Sequence, residues 1–172
     1  PEGEEVLDDM HGRTVRETDL EAVDAIIART AGSMGTSMAA DDAYTTLMAN
    51  LEHPLWDEIA KRCLSCTNCT LVCPTCFCST TEDATDLEGT ARRSRRWDSC
   101  FNREITHLHG HAVRSSTRSR YRQWMTHKLA YWHDQFDTSG CVGCGRCITW
   151  CPAHIDIAEE LDRLIADTEV RT

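Results

Sequence analysis

One pattern occurs twice in this 172-residue chain. It reads Cys63-x2-Cys66-x2-Cys69-x3-Cys73-Pro74, then Cys141-x2-Cys144-x2-Cys147-x3-Cys151-Pro152. This is the spacing that holds 4Fe–4S cubanes. Three thiolates two residues apart on a curled loop reach three corners of one cube. The fourth cysteine is expected on the helix that follows, facing away, so that it ligates the other cluster. The proline after it closes the loop over the sulfurs. The expected ligand sets are Cys63, Cys66, Cys69 and Cys151 for one 4Fe–4S cluster, and Cys141, Cys144, Cys147 and Cys73 for the second. Zinc would call instead for paired C-x2-C knuckles. Crossed ligation also ties the two halves of the chain together.

Such a tie is needed. Phe, Ile, Leu and Val number 30 of 172 residues, about 17%, which is low for a core held by apolar burial alone. Folding is therefore expected to depend on the metal. No apolar run approaches the length of a membrane span, and no export signal opens the sequence. The eleven cysteines are then expected in a reducing cytoplasm, where clustered thiols mean metal more often than disulfides. The chain begins at Pro1, which fits either removal of a preceding Met or a truncated longer protein.

Charge divides the chain. Residues 90–128 carry +8, whereas residues 1–60 carry 14 acidic and 3 basic side chains. We expect an acidic helical segment over 1–53 and a dicluster domain over 54–168, with a basic insert at about 79–136. Residues 1–17 read as a flexible acidic start. Thr18 and Glu21 fit a capping box, ahead of a helix with Leu20, Val23, Ile26 and Ile27 on one stripe and Gly32 as its stop. A second helix is expected over 42–52, with Tyr44, Leu47, Met48 and Leu51 on one side. A third starts at Pro54 and carries Leu55, Trp56 and Ile59. These helices read as packing elements. Residues 79–96 read as loop, 116–136 as a helix striped by Tyr121, Trp124, Met125, Leu129 and Trp132, and the segment after Pro152 as an amphipathic helix. The fold class is thus mainly α, a helical two-cluster ferredoxin-like domain with very little sheet.

Cys76, Cys78 and Cys100 remain. They read either as buried inert thiols or as a third metal site, whose fourth ligand would be His107, His109, His111, Asp98 or a partner's residue. Gly143 and Gly145 let the second loop's backbone approach the sulfurs; Ser65 and Asn68 are set against them in the first loop, which reads as less free. The arginines 92, 93, 95, 96, 114, 118, 120 and 122 have three readings. They offset cluster charge, dock an acidic partner, or meet nucleic acid with Trp97, Tyr121 and Trp124 as stacking surfaces, the last being the least favoured.

Several stretches in and around the motifs resemble a known family. They include Leu51-Glu52-His53-Pro54-Leu55-Trp56, Lys61-Arg62-Cys63-Leu64-Ser65-Cys66, Pro74-Thr75-Cys76-Phe77-Cys78, Arg95-Arg96-Trp97-Asp98-Ser99-Cys100, Arg118-Ser119-Arg120-Tyr121-Arg122 and His127-Lys128. This is similar to the iron–sulfur (beta) subunit of cytoplasmic NAD(P)-linked nickel–iron hydrogenases, or sulfhydrogenases, and to the related iron–sulfur subunit of anaerobic sulfite reductase. The resemblance covers about residues 51–160. It implies an electron conduit between a flavoprotein that handles NAD(P)H and a subunit with the terminal catalyst. Nickel–iron hydrogenase is favoured as that catalyst, with sulfite reductase second and an iron–sulfur nucleic-acid-binding protein as the reading of a different class. Family members usually carry a longer N-terminal region. No Rossmann glycine fingerprint or phosphate loop stands in the chain, so NAD(P)H and flavin are expected on another subunit.

Overall fold

The computed structural model describes residues 2–10 and 12–170. The chain divides into two compact units, Pro1–Ser37 and Met38–Thr172.

The first unit holds α1 (Glu2–Asp9) and α2 (Glu17–Gly32). Residues 2–9 are thus helical rather than flexible; Pro1 and His11, covered by the same expectation, lie outside the described residues. α2 begins before Thr18. Its N-cap is Arg16, whose backbone N–H donates to the Asp19 carboxylate at 2.9 Å. Asp19 also pairs with the Arg13 and Arg16 guanidiniums. Two cations favour that acid over Glu21 as the partner at the helix start. α2 ends at Gly32 as its sequence indicates. It buries none of its side chains, and Leu20, Val23, Ile26 and Ile27 are 50–61% exposed. The stripe expected to pack therefore stays open.

The second unit runs in order α3 (Ala40–Ala49), α4 (Leu55–Arg62), α5 (Asn68–Leu71), a hairpin of β1 (Ser79–Thr85) and β2 (Ala91–Trp97), and a short hairpin of β3 (His107–Leu108) and β4 (His111–Ala112). Then come α6 (Thr117–Thr126), a π-turn (His127–Tyr131), α7 (Trp132–Phe136), α8 (Arg146–Thr149) and α9 (Ile157–Glu169). Helix predominates, as expected, and both sheets are two-stranded.

The core forms where α3, α4, α6 and α9 bring their stripes together. Leu47, Trp56, Ile59, Met125, Leu129, Leu161 and Leu164 are all buried. Full burial of one such side chain contributes about 1.5–3 kcal/mol. Trp56 buries its ring and donates Nε1–H to the Asn50 carbonyl at 2.8 Å, fixing the turn between α3 and α4. Pro54 serves as the N-cap of α4, one position ahead of the first helical residue. The buried Glu160 carboxylate on α9 is paired with Arg62 at the end of α4 and with Arg163 at 2.8 Å. Arg163 also reaches Glu58 at 2.6 Å, so α9 is held along α4 by charge as well as by its apolar face.

Residues 79–97 correct the loop reading. β1 and β2 pair antiparallel, from Ser79 opposite Trp97 to Thr85 opposite Ala91. The Asp86 carboxylate accepts from the Glu88 and Thr90 amides and closes the turn. All of β2 and most of β1 face solvent. A strand with no buried face has no reason to alternate apolar and polar residues, so the usual signal is missing.

The basic insert is largely engaged within the chain. Arg93 pairs with Asp83, Arg96 with Glu82, Arg118 with Glu52 and Asp57, and Arg122 with Glu52. The buried Arg120 donates to the carbonyls of Arg114 and Ser115 and to the Ser65 hydroxyl.

Candidate metal centre

The two cysteine loops share one backbone conformation. Gly143 and Gly145 have φ of 66° and 68°, and Ser65 and Thr67 have 51° and 69° at the matching positions. Left-handed backbone disfavours side chains, yet Ser65 and Thr67 adopt it. The counterpart of Gly145 is therefore Thr67, not Asn68, and the first loop curls as tightly as the second. Each loop then enters a four-residue helix, α5 or α8, through its left-handed residue. The fourth cysteine of each motif, expected on a following helix, instead lies just past this short one. α5 packs beside α8, and Asn68 Nδ2 donates to the Trp150 carbonyl at 3.3 Å.

This pairing decides which thiols meet. Cys63, Cys66 and Cys69 line one cavity together with Cys147 and Cys151. Burial pushes the Cys69 and Cys63 thiols up, and the neighbouring sulfurs, Cys151 among them, push further the same way. The Ser65 and Ile155 amides donate to the Cys63 and Cys151 sulfurs, each at 3.4 Å. Phe101, Tyr121 and Trp124 wall the cavity, packed on one another with ring centroids 5.3–6.0 Å apart. Among the described residues the buried Tyr121 hydroxyl and Trp124 Nε1 have no hydrogen-bond partner. Two lone donors on residues that wall a thiol-lined cavity fit a neighbouring group that brings its own acceptors, such as the sulfides of a cluster.

A second group gathers around Cys147. Burial raises its pKa to about 11, with Cys141, Cys73 and Cys144 adding to the rise. Cys73 behaves oppositely. Donation from the Cys76 thiol, aided by Thr75 and Lys128 against the effect of burial, holds it down to about 4. Lys128 is 4% exposed. Its three N–H donors meet three acceptors: Cys73 Sγ at 3.2 Å, Thr75 Oγ1 at 3.0 Å and the Gly140 carbonyl at 2.8 Å. Burial would lower its pKa, but the sulfurs of Cys76 and Cys73 outweigh that and hold it above the usual lysine value.

Lys128 and Gly140 were not singled out as site residues by sequence reasoning. A signal for Lys128 existed: it falls four residues after Trp124 and seven after Tyr121, on the apolar stripe. Gly140 is pinned by its own N–H to the Lys128 carbonyl at 2.8 Å, and its carbonyl accepts from Thr75 Oγ1 at 2.6 Å. Nothing local marks it.

Cys76, Cys78 and Cys100 come together on a further cavity, with His127, Lys128 and Arg95 on its walls. Cys78 and Cys100 share a thiol hydrogen bond that lowers Cys78 to about 6 and raises Cys100. His127 is half-buried, and burial holds its imidazole below the usual histidine value. Of the fourth-ligand candidates read from sequence, Asp98 lines a neighbouring cavity with Cys76 and Cys78, and the three histidines lie elsewhere. His107, His109 and His111 are exposed on the β3–β4 hairpin. The Asp98 carboxylate accepts from the Ser99 amide and from Asn102 Nδ2. Among the described residues no three His, Cys, Asp or Glu side chains converge closely enough to hold a single metal ion. The thiols instead surround spaces, as ligands of a multi-atom cluster do.

A thiol-rich helical domain with two matched loops belongs to the class of iron–sulfur cluster proteins. Residues 62–155 match the 4Fe-4S dicluster domain, and the chain belongs to that family. It is similar to Sulfhydrogenase 2 subunit beta of Pyrococcus furiosus, 34% identical over 169 residues, which is 95% of this chain and 47% of the relative. The chain thus spans about half the length of the curated relative it matches. No solved structure matches it. Among the described residues no helix is long and apolar enough to cross a membrane.

Proposed function

We propose that this chain relays single electrons within a cytoplasmic multisubunit hydrogenase complex. It takes them from, or returns them to, a flavoprotein subunit that handles NAD(P)H, and exchanges them with a nickel–iron hydrogenase subunit. Two 4Fe–4S clusters lie in a dicluster domain over residues 54–168. One is held by Cys63, Cys66, Cys69 and Cys151, the other by Cys141, Cys144, Cys147 and Cys73. Bound clusters supply one-electron transfer, and the protein supplies position and charge. The observation that supports the reading is that Cys151 lines the cavity of Cys63, Cys66 and Cys69, with Cys147 beside it, while Cys141, Cys73 and Cys144 are the sulfurs that act on Cys147. The name of the similar protein, a sulfhydrogenase subunit, favours hydrogenase over anaerobic sulfite reductase. The pairing of Arg93, Arg96, Arg118 and Arg122 with acids of the same chain weighs against nucleic acid as the partner.

Two experiments test this. The first is affinity purification from the native cell under anaerobic conditions. A nickel-containing subunit and a flavoprotein should accompany the chain, and a sirohaem subunit in their place would give the role to sulfite reduction. The second is Cys73→Ala. It should remove the cluster of the Cys141 loop and spare that of the Cys63 loop; the reverse pattern would refute crossed ligation.

A further inference from the structure

The β1–β2 hairpin adds almost nothing to the core, so its structural effect lies at its base. There Ser79 pairs with Trp97, and the Asp98 amide donates to the Cys78 carbonyl at 2.9 Å. This clamp brings Cys78 and Cys100 face to face across 22 residues of sequence. The other side of Cys100 is fixed as well. Buried Ser99 is hydrogen-bonded to Thr70 of α5 at 2.7 Å, and Phe101 is buried in the aromatic wall. Cys76 arrives from the turn after Cys73-Pro74. Opposite the three thiols, Trp124, His127, Lys128 and Trp132 come from the long helix, two of them on its π-turn.

We propose that this cavity is a third iron–sulfur site, of the 4Fe–4S class, with Cys76, Cys78 and Cys100 as thiolate ligands and His127 as the fourth. The cavity is roomier than the one at the Cys63 loop, and part of it is open to solvent. Cys78 and Cys100 are in contact, but no three of the lining thiols and His127 converge on one point. A tetrahedral zinc ion with bonds of about 2.3 Å needs its sulfurs roughly 3.8 Å apart all round. Lys128 and Arg95 line the same cavity and offset the negative charge that thiolates bring. The position also suits a relay. Trp124 lines both this cavity and that of the Cys63 loop, and Cys76 is hydrogen-bonded to Cys73 of the second group. The centre would therefore adjoin both motif clusters. It adds to the function proposed above and stands on different residues.

The test is iron and acid-labile sulfide per chain in the anaerobically purified full-length protein, with electron paramagnetic resonance of the reduced form. The expected wild-type value is about twelve irons, by the four-iron composition of each cluster. Cys78→Ser combined with Cys100→Ser should lose about four irons and one reduced-state signal. The iron lost reads the third centre and the iron kept reads the two motif clusters, so failure of one is distinguishable from failure of the other. His127→Cys should keep all the iron but lower the potential of one centre, since histidine in place of thiolate raises it. A wild type with about eight irons and no change in the double variant overturns the third centre. So does a Cys78–Cys100 disulfide that forms without loss of iron. Should the double variant fail to fold, the wild-type iron count together with the potential shift in His127→Cys decides.

Discussion

The Lys128 ammonium lies 3.2 Å from the Cys73 sulfur, inside the protein, with its remaining donors on Thr75 and the Gly140 carbonyl. A buried cation survives only when paired and hydrogen-bonded. Here the pairing is with the thiol proposed to cross from the first motif to the second cluster. A fixed positive charge stabilises the reduced, more negative form of an adjacent cluster. Lys128→Met should therefore lower the midpoint potential of one centre by roughly 60–100 mV, taking about 1.5–2.5 kcal/mol at an effective dielectric near 20 and 59 mV per tenfold. Lys128→Arg should recover part of it. Redox titration followed by electron paramagnetic resonance measures both, and unchanged potentials in Lys128→Met would remove the tuning role.

Gly140 has no room for a side chain. A Cβ there would lie 2.8 Å from the Lys128 carbonyl oxygen and 2.8 Å from the Trp132 ring. One obstacle is backbone, so the start of the second loop must move instead. Gly140→Ala should lose the cluster of the Cys141 loop, about four irons, while the Cys63 loop keeps its own. Full iron content with a wild-type visible spectrum would show that the loop tolerates the shift.

Leu161 on α9 is fully buried in the apolar core, where α9 packs on α3. Leu161→Ala should destabilise the folded protein by about 2–5 kcal/mol through lost burial and a cavity. Anaerobic denaturant unfolding of the iron-loaded protein gives the value. A change under 1 kcal/mol would mean that the clusters, not α9, carry most of the stability.

Glu52 links the turn before α4 to α6, accepting from Arg118 at 2.9 Å and Arg122 at 2.5 Å. Hydrogen bonds from these two arginines hold its carboxyl below the usual glutamate value. A carboxyl with a depressed folded-state pKa stabilises above its unfolded value and ceases to as pH falls through the folded one. Glu52→Gln should thus lose stability at neutral pH, modestly because the carboxylate is exposed, and match the wild type in acid. Unfolding midpoints compared across that range test it; a difference constant with pH would place the effect outside this charge.

The sequence by itself determined the parts that depend on spacing along one segment. The repeated cysteine pattern marked both loops. The stripe Tyr121, Trp124, Met125 and Leu129 marked the long helix, and Ile157, Leu161 and Leu164 marked α9. Gly32 marked a stop. Each of these is a local property, because helix period and loop length are set within a few residues. Wherever a residue's role depends on a distant segment, only the tertiary structure decided it. The β1–β2 hairpin escaped the pattern because neither of its faces is buried. Thr67 takes a left-handed conformation that its residue type disfavours, because the loop around it demands one. His107, His109 and His111 form a conspicuous cluster in sequence but lie in the open, whereas His127 reaches the cavity of Cys76, Cys78 and Cys100 from the long helix. Lys128 became a buried partner of Cys73, 55 residues away, only once α6 packed against the first loop. Convergence of this kind follows from which helix faces pack together, and no spacing along the chain encodes it.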